Sequence, residues 1–204
     1  MPRSRSSASS PGRTRVRCAA AAALLLLPPA AARADTLPGE AKAQTCFACH
    51  GPNGNSATPE VPSLAGQPAE FIAKQLHLFR DGGRQDAQMA PMAVNLEDRD
   101  IAELGAFFAQ VTPEPPEQQA EPAVAKAAHP LLERQHCTTC HGENFAGNQE
   151  IPRLAGQQKA YLAWQLRAFR DGKRNDASMR DATKPLSNQD INTLASYLSR
   201  LAQR

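Results

Sequence analysis

The chain is short of cysteine, of aromatic residues and of long apolar runs, and each shortage excludes something. Of five cysteines, Cys18 stands alone and the other four sit in two identical-looking motifs, so no pair is left over for a disulfide framework. The longest apolar run, Ala19 to Leu27, is too short to cross a bilayer. No stretch alternates between apolar and polar with a period of two, which argues against a sheet. Residues 1–34 hold six arginines and no acidic side chain, and they end in Ala32-Arg33-Ala34. A basic front, a short apolar run broken by Pro28 and Pro29, and an A-x-A-like end predict a secretory signal peptide over 1–34, cleaved after Ala34. Cys18 precedes the apolar run and would leave with it. The whole chain carries a formal charge of +3, but without those six arginines 17 basic and 20 acidic residues remain, a net −3. The basic balance therefore gives no reason to expect a nucleic-acid partner.

The four remaining cysteines form Cys46-Phe47-Ala48-Cys49-His50 and Cys137-Thr138-Thr139-Cys140-His141. C-x-x-C-H is the attachment signature of c-type haem. Two thiols three residues apart can add to both vinyl groups along one porphyrin edge, and the adjoining imidazole can reach the iron. A single copy would leave room for a zinc knuckle, a redox dithiol or coincidence. Two copies, each followed at a matching distance by a methionine, predict two covalently bound haem c groups. Haem attachment of this kind belongs outside the cytoplasmic membrane, in keeping with export.

An internal duplication runs through the chain. At an offset of 91 the first motif falls on the second. After one residue of slippage, Pro62, Leu64-Ala65-Gly66-Gln67, Gln75-Leu76, Phe79-Arg80-Asp81-Gly82, Arg84, Asp86-Ala87 and Met89 recur 90 residues later, ending at Met179. The halves should share one fold. Phe71, Ile72, Gln75, Leu76 and Phe79 trace a helical face, as do Tyr161, Leu162, Gln165, Leu166 and Phe169. A last helix in each half shows in Ile101, Leu104, Phe108 and Val111 and in Ile191, Leu194, Leu198 and Leu201, with Ser187 and Asp190 as an N-cap pair for the second. Gly82 and Gly172 sit where C-terminal caps belong. The expected architecture is all-α: a domain over 35–112, a Pro- and Glu-rich linker over 113–130, and a domain over 131–204. Each half is small enough that a buried haem must complete its core.

Met89 and Met179 are the candidates for the second axial position, because both lie seven residues before a leucine, Leu96 or Leu186, that introduces the last helix. Met92 competes locally, but its repeat partner is Ala182. A His/Met pair closes both axial positions and raises the reduction potential, which suits electron transfer and leaves no site for a substrate. His77, His129 and His136 have no histidine repeat partner and read as packing or surface residues. Arg80, Arg84, Arg170 and Arg174 recur in both halves and fit either haem-propionate partners or helix-end cations. Trp164 replaces Lys74 and stands outside the shared pattern, to pack between domains or cover a helix face.

With C-x-x-C-H-G twice, the Gly54-Asn55 and Gly147-Asn148 pairs, P-x-L-A-G-Q twice and Q-L-x-x-F-R-D-G twice, the chain resembles the dihaem cytochrome c4 family, two class I cytochrome c domains in tandem. The resemblance implies an electron-transfer protein rather than an enzyme. It implies a periplasmic monomer, in part membrane-associated, passing single electrons from a respiratory donor to a terminal oxidase. The alternative is the dihaem electron-accepting subunit of a catalytic complex, such as a flavoprotein sulfide dehydrogenase. It also implies that the Pro62 and Pro152 carbonyls accept the other ring N–H of each ligating imidazole. Finally, the halves differ in charge: ten acidic and five basic residues over 35–112 against seven and eleven over 131–204, most of the basic excess lying between Arg153 and Lys184. That contrast fits either donor and acceptor docking on different lobes, with the basic lobe meeting an acidic partner surface, or attraction of the lobes for each other that steadies their interface.

Overall fold

Helix is the only regular structure of any length in the computed structural model, which describes residues 37–202. The export segment read over 1–34 lies outside the described residues. Four helices build the first lobe: α1 (Glu40–His50), α2 (Ala69–Arg80), α3 (Met89–Ala93) and α4 (Asp98–Gln110). Five build the second: α5 (Pro122–Arg134), α6 (Cys137–His141), α7 (Lys159–Arg170), α8 (Ala177–Thr183) and α9 (Asn188–Leu198). Among the described residues the extended pairing is limited to one bridge, Asn148 with Ile151. The stripes read from the sequence face inward: Ile72 and Phe79 are buried on α2, Ile101, Leu104 and Phe108 on α4, and Ile191, Leu194 and Leu198 on α9.

Capping chemistry sets where the last helices begin. Ser187 Oγ accepts the Asp190 N–H at 3.1 Å, while Asp190 accepts the Ser187 N–H at 2.9 Å, so two otherwise orphaned donors are satisfied reciprocally. In the first lobe Asp100 accepts the Glu97 N–H at 3.0 Å. Arg80 and Arg170 tie these starts to the preceding helices. Each sends Nη1 to the carbonyl just ahead of the cap, Leu96 O at 3.1 Å and Leu186 O at 3.2 Å. These two arginines therefore act at helix ends.

The expected linker is where the structure departs from the sequence reading. Residues 113–121 are irregular, but Pro122–Arg134 is helix α5, and Ala128, Leu131 and Leu132 belong to the second lobe's core. Pro122 stands at the first helical positions, where its missing N–H costs nothing, and the alanines after it are strong helix formers. On a helix packed against α9, Ala128 is core rather than linker. Even the irregular part is held, since the Glu114 N–H donates to Asn55 Oδ1 at 2.9 Å. Pro113 lies so close over Gly66 that a Cβ there would stand 2.4 Å from its ring.

The lobes belong to one compact unit, joined along a seam of paired polar groups. Gln67 on one side bonds the backbone of Arg153, and Gln157 on the other bonds the backbone of Ser63, the repeat partner of Arg153. Nearby, Arg84 donates to Gln75 at 2.7 Å and across the seam to Gln165 at 3.1 Å and the Tyr161 hydroxyl at 3.3 Å. Arg174 mirrors it, reaching Gln165 in its own lobe and Gln75 across the seam at 2.8 Å. Each guanidinium also lies 4.5 Å from a ring centroid, Arg84 over Phe79 and Arg174 over Phe169. Burial, with Arg84 close by, pulls Arg174 down to about 10. Trp164 is half exposed and sits edge-on to Tyr161 rather than inside the seam.

Candidate haem-binding sites

Each site is built on a helix end. In the first lobe, α1 carries Cys46 and Cys49 one turn apart and stops at His50, because Gly51 follows with φ +77°. A side chain at Gly51 would put a Cβ 2.0 Å from the Asn55 carbonyl oxygen, so glycine alone allows the chain to double back beneath the imidazole. The second lobe repeats this on the short α6, ending at His141 before Gly142 with φ +76°. Cys46 and Cys137 are half-buried against the two cores, Cys49 and Cys140 are exposed, and none of the four is paired in a disulfide. Burial pushes the Cys46 and Cys137 thiols up, and Cys49 adds to the effect on Cys46.

Both histidines are 6% exposed, and each ring has one nitrogen already committed. His50 Nδ1 lies 2.8 Å from Pro62 O, and His141 Nδ1 lies 3.0 Å from Pro152 O. A carbonyl can only accept, so Nδ1 carries the hydrogen and the lone pair is left on Nε2. That is the tautomer a metal ligand needs, with the ring orientation fixed by the backbone. Burial holds both imidazoles below the ordinary histidine range, more strongly than the proline carbonyls raise them. A neutral imidazole with a free lone pair, two thiols along one helix turn and an adjoining apolar core fit a covalent haem in each lobe.

The methionines occupy equivalent places. Asp86 Oδ1 accepts the Met89 N–H at 2.9 Å at the start of α3, and Asp176 Oδ1 accepts the Met179 N–H at 3.0 Å early in α8. Both methionines are half-buried, whereas Met92 is 48% exposed. The remaining histidines are used elsewhere. His77 sits beside Arg80, His129 contacts the Tyr197 hydroxyl at 3.0 Å, and His136 caps α6 in a left-handed conformation. Arg84 and Arg174, which the sequence left between propionate partners and helix-end cations, lie at the seam. Sequence reading did not find the cross-seam role of Gln67 and Gln157; the recurrence of L-A-G-Q, with a polar residue identical in both halves, was the available signal.

A model of the family described as Cytochrome c matches residues 38–112 and again 125–202. Cytochrome c4 of Azotobacter vinelandii is 38% identical over 192 residues, covering 83% of this chain and 90% of the relative. The thiosulfate dehydrogenase electron acceptor of Thiomonas intermedia is 32% identical over 144 residues, 66% of each chain. The crystal structure of reduced recombinant cytochrome c4 from Pseudomonas stutzeri matches with a TM-score of 0.74 at 37% identity, over 80% of this chain and 96% of that one. Two family domains with two complete attachment motifs carry two covalent haem c groups, and the chain belongs to the cytochrome c family, among the dihaem cytochromes c4.

Proposed function

We propose that the protein is an exported, monomeric electron shuttle that takes single electrons from a respiratory donor and delivers them to a terminal oxidase outside the cytoplasmic membrane. His50 with Met89, and His141 with Met179, would hold the two haem irons. The observation that carries this reading is the matched fixing of both ligand sets. The Pro62 and Pro152 carbonyls present each Nε2 lone pair, and Asp86 and Asp176 pin the backbone of each methionine. Bound haem c supplies a one-electron couple there, and ligands held in place by the chain keep reorganisation small between its two states. The Pro62 and Pro152 carbonyls hold the imidazole orientation, the thioethers would favour the reduced form, and the cores exclude water. Among the described residues no helix is long and apolar enough to cross a membrane.

A second reading has specific support. Electron acceptors of thiosulfate dehydrogenase are among the similar proteins, and a thiosulfate dehydrogenase structure from Marichromatium purpuratum aligns with 76% of this chain at a TM-score of 0.64. In that reading the protein is the dihaem acceptor of a sulfur-oxidising catalytic partner. Stopped-flow mixing separates the two. The reduced protein should be reoxidised rapidly at both haems by oxidase-containing membranes. Electron exchange with a thiosulfate-oxidising partner alone would establish the second reading instead.

A further inference from the structure

The two ligating histidines are linked to the seam by single peptide groups. The carbonyl of Pro62 and the N–H of Ser63 belong to one peptide. Its oxygen accepts from His50 Nδ1 at 2.8 Å, and its N–H donates to Gln157 Oε1, in the other lobe, at 2.8 Å. The mirror arrangement holds on the other side. The peptide between Pro152 and Arg153 accepts from His141 Nδ1 at 3.0 Å and donates to Gln67 Oε1 at 3.0 Å. Both glutamines are 3% exposed. Their amide orientation is fixed by the second atom, because Gln157 Nε2 donates to Ser63 O at 2.9 Å and Gln67 Nε2 to Arg153 O at 3.0 Å. Turning either amide over would set like against like at both positions.

We propose that each glutamine is a positioning residue for the haem of the opposite lobe: Gln157 tunes the first lobe's proximal imidazole, and Gln67 the second's. Peptide resonance carries the effect. An acceptor on the peptide N–H moves electron density onto the carbonyl oxygen, which becomes a stronger acceptor for the imidazole N–H. A ring that shares its proton more fully is a better electron donor at Nε2, and it stabilises oxidised iron. Removing the glutamine acceptor therefore raises the potential of the haem in the lobe that was not mutated. The inference rests on His50 and His141 being the proximal ligands.

The test uses the full dihaem protein, with each haem followed by its own resolved NMR signals during a potentiometric titration. Gln157→Leu should raise the first lobe's potential and shift the His50 Nδ1–H resonance, leaving the His141 resonance in place. Gln67→Leu should do the reverse. The ratio of the two half-reduced forms should then change several-fold, in opposite directions for the two variants. Arg84→Gln loosens the same seam without touching either peptide and should leave both Nδ1–H resonances where they are. Should a leucine variant not retain both haems, Gln157→Asn and Gln67→Asn withdraw the acceptor by one methylene and should show the same crossing. A shift confined to the mutated residue's own lobe, equal in both lobes, or absent, overturns the inference. Failure to see two ligating imidazoles in the unaltered protein would instead break the ligand assignment on which it rests.

Discussion

The two lobes hold their candidate haem ligands alike and support them differently. In the first lobe, Phe47, Phe107 and Phe108 form a ring cluster with centroids 5.2 to 6.5 Å apart. Their counterparts in the second are Thr138, Tyr197 and Leu198, and the core there is aliphatic, with Leu131, Leu132, Leu162 and Leu194 around Phe145. The first lobe ties α1 to α4 through Lys42 with Asp100 and Glu103. In the second the counterpart of α1 is split into α5 and α6, α5 begins nine residues earlier, and His129 is set against Tyr197. Yet the His-to-Pro contacts agree within 0.2 Å and the Asp-to-Met contacts within 0.1 Å. After duplication the cores drifted within what packing tolerates, and the groups around the iron positions did not.

The largest effect expected from breaking this likeness follows loss of attachment. Replacing Cys46 and Cys49 by Ser, or Cys137 and Cys140, should leave one covalent haem in the denatured protein and unfold most of the altered lobe. A lobe of this size buries too little surface to be stable alone. Acid-solvent extraction and circular dichroism check both outcomes. The second lobe, with the longer helix α5 packed into its core, should keep more helix than the first.

Next come the methionines. Met89→Ala and Met179→Ala should each remove the sulfur-to-iron charge-transfer band of one oxidised haem and lower that haem's potential, whereas Met92→Ala should change neither. Near-infrared spectra of the three variants decide the matter. Loss of the band in Met92→Ala would mean that the repeat does not govern ligand choice in the first lobe.

A smaller effect concerns charge. The excess read over 131–204 is less of a surface feature than the sequence suggests. Arg153 is 2% exposed, with burial drawing it down to about 10, and Arg174 is tied up in the seam. Lys173 and Lys184 remain exposed at the surface. Reversing both to Glu should slow the second-order reaction with the oxidase and flatten its dependence on ionic strength. Stopped-flow rates across a salt series measure it, and no change would leave the charges with an internal role.

Caps give the smallest difference. Ser187→Ala should cost the second lobe about 1 kcal/mol, the usual value of such a cap. Glu97→Ala should cost less, since serine is among the strongly preferred N-cap residues and glutamate is not. Thermal unfolding monitored at each haem compares them.

What the sequence made legible was local or repeated. The attachment motifs, the α2 and α7 stripes and the Ser187 cap all have signatures within a few residues. The proline carbonyls followed from family resemblance. Helix α5 was missed because its alanines read as linker composition, and only their packing on α9 makes them core. The seam was missed for a different reason. Gln67 to Arg153 and Gln157 to Ser63 span 86 and 94 residues, and nothing local marks a buried glutamine as a cross-lobe partner. Only its recurrence in both halves hinted at a shared duty.

The central claim is that both lobes carry a haem held by the same His/Met pair. A potentiometric titration of the whole protein, followed at the sulfur-to-iron charge-transfer band, tests it most directly. The account predicts two one-electron steps, each abolishing part of the band, with the band fully developed only when both haems are oxidised. Uptake of only one electron per protein, or a reduction that leaves the band untouched, would contradict it.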